Sequence, residues 1–378
     1  MNNINCFYHS CKHSGIADIS EQHAKINALK IIVIKTILIS CICIPQLHSI
    51  IRAQFEGKHS AVEHFLTHTS LLQKHGLEIV DNNPDVLFVY NAYNIERYST
   101  TVPIIILERN APASVKSKTR KALLLPHVKA VFKNKILRPK KINNKRQIMH
   151  IYSYHVLNKY AQKATAKYDI ILQDHELDKI HAVMWDLQMS AFNIKKFNDI
   201  QYFNIDITHE RPIDVFFAGS VYQDNHTTSI RHALMGWHRA QACKMIESIP
   251  SINALVLQGH HLPFDEYITT MQKSKIVVSP WAWGEWAFRD YEAIHCGAIL
   301  VKPDTSFVQS YPDIYQNYIT YIPCKPDFSD LPEIIADVLK NYQSYASMIL
   351  ETKELVKKSW DYDVIVKNFV DHVKMVLN

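Results

Sequence analysis

Two α/β domains, each a parallel sheet with helices between its strands, are the fold class this sequence predicts. Three observations carry it. Short, nearly continuous apolar runs recur, among them residues 102–107, 213–218 (broken by Asp214) and 276–278. Continuous rather than alternating apolar character marks strands buried on both faces. The spacers between them have helical periodicity, the alternation expected of βαβ units. The third observation is length: 378 residues suffice for two ordinary domains.

Residues 1–25 are polar and weakly patterned and are expected to form a leader. Cys6, His9, Cys11 and His13 there are too compressed for the two separated ligand pairs of a zinc site. Residues 26–205 are expected to form the first Rossmann-like domain. Its most apolar stretch, 29–44, contains Lys30 and Lys35. Its Ile/Val content favours a first buried strand, with a membrane segment as the alternative. Residues 61–75 read as one amphipathic helix ended by Gly76. His64 and His68 share its face without an H-E-x-x-H pattern. Strands are expected at 77–80, 85–90, 102–107 and 128–132, then a basic loop at 134–146, then strands at 148–154 and 168–172. Trp185, Phe192, Phe197 and Phe203 imply packing in 173–209, whose topology the pattern leaves open.

Residues 206–378 are expected to form the second Rossmann-like domain. Apolar runs at 213–218, 254–257, 276–278 and 298–301 alternate with helices, including 263–272 and 285–296. Gly297 ends the latter helix. A strand at 318–323 and helices at 331–342 and 344–359 follow. Asp361-x-Asp363 has the spacing of a metal-binding pair. It precedes an amphipathic run of Val364, Val366, Phe369, Val370 and Val373, so helix capping is the expected role.

Charge is unevenly spread. From Arg109 to Lys167 there are sixteen Lys/Arg and no Asp or Glu, so the remaining 26 basic side chains face all 36 acidic ones. The segment 109–167 therefore suits an anionic partner, such as a phospholipid surface or a phosphorylated acceptor, unless it is a solvated lysine face. Seven Cys without repeated spacing argue for a reducing compartment over a disulfide framework. There is no G-x-G-x-x-G and no Walker loop among only eight Gly.

Candidate site residues cluster at expected strand ends, where open α/β sheets bind ligands. Arg289 and Glu292 lie three apart near a helix start. An Arg there suits a phosphate and a Glu suits a diol such as ribose; a surface ion pair is the alternative. Gly219 and Ser220 follow a strand and precede a helix that Thr227 or Thr228 caps, a phosphate cradle to which Arg231 adds charge. Gln258 and Gly259 end another strand. Trp281 and Trp283 offer ring faces to a base or a sugar, or else pack between domains.

Arg289-x-x-Glu292-Ala293, then Gly297 and an apolar strand, resembles the R-x-x-E-A-x-x-x-G motif of exostosin-like glycosyltransferases, which belong to the two-Rossmann-domain GT-B group. The resemblance covers about 210–330. It implies two domains facing across a cleft, with the last helix crossing back to the first. It also implies that Arg289 contacts a donor diphosphate and Glu292 the nucleotide ribose. Retaining relatives set two Glu eight apart; Glu285 and Glu292 are seven apart.

The expected activity is sugar transfer from a nucleotide-diphosphate donor to a glycan or lipid acceptor of anionic character. No metal and no cofactor beyond the nucleotide sugar are expected, since Arg289 and helix dipoles meet the leaving-group charge. Nucleic acid is not an expected partner. A cytoplasmic location is expected, with peripheral contact at the inner face of a membrane through 109–167. Glu108, after an apolar strand and beside Arg109, is the first candidate for a general base, with His127 and Asp174 as rivals. A nucleotide-sugar epimerase of the same fold, or a non-catalytic nucleotide-sugar or glycan binding protein, are the competing readings.

Overall fold

A computed structural model describes residues 50–57, 59–92, 95–98, 101–109, 113–137, 140–142, 145–148, 170–186, 210–221, 230–259, 262–311, 313–359 and 361–378. The leader, the stretch 29–44, residues 187–209, and Thr227 and Thr228 lie outside the described residues.

The first lobe contains β1 (Ile51–Glu56), α1 (Ser60–Leu66), α2 (Thr69–Lys74), β2 (Leu77–Ile79), β3 (Val86–Tyr90), β4 (Ile104–Leu107), α3 (Ser117–Leu123) and β5 (Val128–Lys133). It continues with β6 (Lys135–Leu137), β7 (Lys140–Ile142), β8 (Lys145–Ile148), β9 (Ile170–Leu172), α4 (Asp174–Leu177) and β10 (Ile180–Ala182). Six of these strands form a parallel sheet in the order β10-β5-β4-β3-β1-β2. Side chains alternate across a strand, so β3 and β4 feed two cores at once. Leu87, Val89, Ile104 and Ile106 enter one, and Val86, Phe88, Ile105 and Leu107 the other. That is why their sequence runs are continuously apolar. By contrast β1 reads I-R-A-Q-F-E and fully buries only Ala53, so its sequence carries no such signal.

The second lobe contains β11 (Ile213–Gly219), α5 (Ile230–Glu247), β12 (Ala254–Gln258), α6 (Phe264–Gln272), β13 (Ser274–Val278), α7 (Phe288–His295), β14 (Ile299–Pro303), β15 (Val308–Ser310) and β16 (Ile322–Cys324). Helices α8 (Leu331–Lys340), α9 (Ala346–Ser359) and α10 (Tyr362–Leu377) complete the chain. Its five-stranded parallel sheet runs β12-β11-β13-β14-β16. Two parallel sheets with interleaved helices are the expected α/β architecture.

The terminal helix crosses back. Ile365, Val366, Phe369, Val370 and Val373 of α10 join the core beneath the first sheet, not the second. Phe369 meets Phe65 at 4.7 Å and Phe88 at 5.3 Å between ring centroids. Burying such a ring is worth about 3–5 kcal/mol against its loss to Ala. Asp361 caps this helix by accepting from the Asp363 N–H at 2.8 Å, and Asp363 binds Lys74 and His75 of the first lobe. The D-x-D spacing thus serves a cap and a lobe contact.

Three expectations need correction. Residues 61–75 form two helices, because the Thr67 hydroxyl and N–H both bond to the His64 carbonyl and close α1 there. The segment 134–146 is not a loop. It holds β6, β7 and part of β8, and β6 pairs antiparallel with β15 of the other lobe. The helix expected from Glu285 starts at Phe288. The Asp290 carboxylate accepts from the Ala287 N–H at 3.1 Å and fixes Ala287 as an extended N-cap. At its other end Gly297 takes φ +66, as a left-handed helix-ending glycine should.

Candidate functional site

Both large sheets place their first strand between the second and the third: β2-β1-β3 in one lobe and β12-β11-β13 in the other. Such a reversal of winding leaves a crevice at the carboxyl ends of the strands, where ligands bind in this fold class. In the second lobe the crevice lies beyond Gly219 of β11 and Val278 of β13.

Arg289 fills its rim. Its Nη2 donates to the Ala218 carbonyl, and its guanidinium lies 5.1 Å from the Phe217 ring centroid. Its Nε is buried without a hydrogen bond. A Cβ on Gly219 would stand 2.8 Å from Arg289 Nη2, so the missing side chain admits the guanidinium. Gly219 is thus less a phosphate cradle by itself than the notch in which the cation rests. Glu292, one turn on, is almost fully buried, and its Oε2 accepts from the Tyr267 hydroxyl at 2.8 Å.

Beneath them, Asp290 anchors the helix start. It accepts from Lys302 Nζ at 2.6 Å, Ser279 Oγ at 2.5 Å and the Tyr315 hydroxyl at 2.7 Å, besides the Ala287 N–H. Burial pushes the Lys302 ammonium below its ordinary value, and Asp290 opposes that shift. A carboxylate with four donors at a helix N-terminus holds Arg289 and Glu292 at fixed height.

Across from these residues lies a cavity of about 490 Å³ that both lobes line. The second lobe contributes Arg289, Glu292, Arg239, Tyr267, Trp286 and Phe288; the first contributes Glu108, Arg109, Lys133, Lys135 and Asp186. An adjoining cavity of about 390 Å³ shares Arg239, Tyr267, Arg289 and Glu292 and reaches Gly219, Ser220 and Phe264. Among the described residues the larger cavity is lined by five cations against three carboxylates, and Glu285 behind Lys135 reduces the surplus to one positive charge.

The first lobe's cations come paired. Lys133 binds Glu108 at 2.8 Å, Arg109 binds Asp186 at 2.6 Å, and Lys135 reaches across to Glu285 at 3.1 Å. Burial pushes Lys135 below the usual lysine range, while Glu285 pulls it back. Glu108 also accepts from the Thr119 hydroxyl, so both of its oxygens are engaged.

The sequence-selected residues divide accordingly. Arg289, Glu292, Gly219, Ser220 and Glu108 meet at the two cavities. Glu285 does not: it is fully buried and held by the Ala113 N–H and Lys135, a clamp between lobes. Trp281 and Trp283 do not present a stacking face. They pack in the core shared with the first lobe, Trp281 against His238 at 5.2 Å. The Gln258 amide donates to Glu247, and Gly259 has open space around it. His127 and Asp174 line neither cavity. The side chain of Arg231 lies outside the described residues; Arg239, about two turns further along α5, lines both cavities and donates to the Ser220 carbonyl at 2.9 Å.

Sequence reading missed Lys133, Lys135, Asp186, Arg239 and Tyr267. A signal existed for the first two. They flank Asn134 directly after an apolar strand, where its carboxyl end must lie. Tyr267 sits inside an ordinary helix and gives none.

No family model and no curated protein matches the chain. Among solved structures it is similar to HepE of Anabaena in complex with UDP-glucose, at 12% identity and TM-score 0.40, covering 86% of this chain and 100% of that one. It is also similar to sucrose-phosphate synthase from Thermosynechococcus elongatus, at 9% identity and TM-score 0.41, covering 86% of this chain and 98% of that one. Values this low leave the fold class resting on the strand orders above.

Proposed function

We propose that the chain is a glycosyltransferase that moves a sugar from a nucleotide-diphosphate donor to a glycan or lipid acceptor. One observation carries this reading: Arg289, notched into Gly219 at the switch point of the second sheet, faces a cavity whose other wall belongs to the first lobe. The nucleotide would occupy the smaller cavity, with its ribose hydroxyls on Glu292. The diphosphate would lie on Arg289 and Arg239, and the sugar would project toward the first lobe. Arg239 and Arg289 are the cations that the second lobe sets beside a bound diphosphate. Fixed cations placed where leaving-group charge develops lower the barrier without a metal. Among the described residues no group of three or more His, Cys, Asp or Glu is arranged to hold a metal ion.

The acceptor would enter from the first lobe. Glu108 and Asp186 are the carboxylates there for a base in an inverting reaction. Lys133 and Lys135 of the basic segment turn inward, but Lys118, Arg120, Lys121 and Lys129 stay exposed. These suit peripheral contact with anionic lipid at a cytoplasmic membrane face. Among the described residues no helix is long and apolar enough to cross a membrane.

The test is a thermal-shift panel of UDP-, GDP-, ADP- and CMP-sugars on the wild type and Arg289→Ala. The variant is expected to stay folded and to lose donor affinity at least about tenfold, the equivalent of 1.4 kcal/mol. Equal stabilisation of both proteins removes Arg289 from the site, and no stabilisation by any donor overturns the reading.

A further inference from the structure

Tyr267 is the one side chain that lines both cavities from α6, and it reaches the carboxylate assigned to the ribose. Its hydroxyl donates to Glu292 Oε2 at 2.8 Å. Its ring rests 5.8 Å from Phe216 in the sheet below, which fixes where the hydroxyl points. We infer that Tyr267 is a positioning residue that orients the Glu292 carboxylate, and thereby makes the site select a ribonucleotide over its 2′-deoxy counterpart. This rests on the proposed nucleotide site and adds to it a residue and a selectivity.

The physical basis is geometric. A carboxylate at the end of a Glu side chain turns about its last torsion, which is broad. A hydroxyl bonded to one oxygen fixes the plane of the group. Two vicinal ribose hydroxyls need the acceptor in one plane to donate together, whereas a single hydroxyl tolerates a range. Removing the Tyr267 hydroxyl therefore harms the diol contact more than any other contact of the nucleotide. Burial raises the phenol's pKa well above its ordinary value, with Glu292 adding to the shift, so it remains a donor throughout the working pH range. Arg289, on the preceding turn of the same helix as Glu292, holds the phosphates independently of this bond.

The experiment is calorimetric titration of UDP, GDP, 2′-deoxy-UDP and 2′-deoxy-GDP into wild type, Tyr267→Phe, Glu292→Gln and the double variant. Wild type is expected to prefer the ribonucleotide of the bound base by about tenfold, the scale of one charge-assisted hydrogen bond. In Tyr267→Phe that ratio should fall to about twofold while 2′-deoxynucleotide affinity holds. The double variant should show the same ratio as Glu292→Gln alone, because the two residues act through one contact. An undiminished ribose preference in Tyr267→Phe overturns the positioning role while leaving the nucleotide site standing. A double variant with a lower ratio than Glu292→Gln also overturns it, since the tyrosine would then act on its own. Failure of wild type to bind either ribonucleotide overturns both this inference and the proposed function.

Discussion

The two lobes share a strand order and treat charge at the strand ends differently. In the first, the acids and bases near the carboxyl ends neutralise each other: Lys133 with Glu108, Arg109 with Asp186. In the second, the ion pair is set deeper, between Asp290 and Lys302, and its product is a rigid helix start that lifts Arg289 to the rim. Arg289 donates to a neutral carbonyl, so its charge is available to an anion. One lobe has closed its electrostatics, and the other has left them open. A charged ligand is therefore expected on the second lobe, and a largely neutral reacting group on the first.

The strongest way to break this contrast is Asp290→Ala. It strands a buried lysine, for which about 3–5 kcal/mol of stability is expected to be lost. Chemical denaturation should show it, together with loss of nucleotide binding at temperatures where the variant is folded. Glu108→Gln in the first lobe should instead leave UDP or GDP affinity within about twofold of wild type. Equal loss of affinity in both would erase the distinction between lobes.

A smaller effect concerns pH and is most pronounced at His295 of the second lobe. Burial, with Lys353 adding to it, pushes the His295 imidazole down to about 3. Its folded pKa lies below the unfolded value near 6.5. The unfolded chain therefore takes up a proton that the folded chain refuses. Stability from this residue is intact above about pH 6.5 and declines as pH falls toward 3, by at most about 1.4 kcal/mol per unit. Denaturation of His295→Gln between pH 6.5 and 5 should show a correspondingly shallower slope than wild type.

The smallest expected effect sharpens the comparison most. Gly219→Ala adds one methyl against Arg289 Nη2, the movable end of a flexible side chain. Stability should change by less than about 0.5 kcal/mol, while nucleoside diphosphate binding weakens about threefold. Unaltered affinity would mean that the notch does not set the guanidinium's position.

What was legible in the sequence follows from what burial demands. Strands β3, β4, β11 and β13 are apolar on both faces, so their composition announces them. The strand β1 is flanked by the edge strand and keeps polar residues, so it passes unseen. In the site, Arg289 and Glu292 were readable because one helix turn brings them together. The pairs Lys135–Glu285 and Lys302–Asp290 were not, since each joins residues from separate elements. The two Trp illustrate the same limit: type and position suggested a stacking face, and only packing against His238 and the first lobe decides otherwise.

The helix α10 has a consequence for how the protein is made. A ribosome releases the first lobe's strands early, yet one side of their sheet is covered only in part, by α1 and α2, until the sixteen-residue α10 is synthesised. The second lobe, whose strands and covering helices are contiguous in the chain, is free to consolidate before the first. Folding would then finish at the end synthesised earliest, and a nascent chain stalled before Tyr362 would expose Phe65, Phe88 and Phe132 to chaperones.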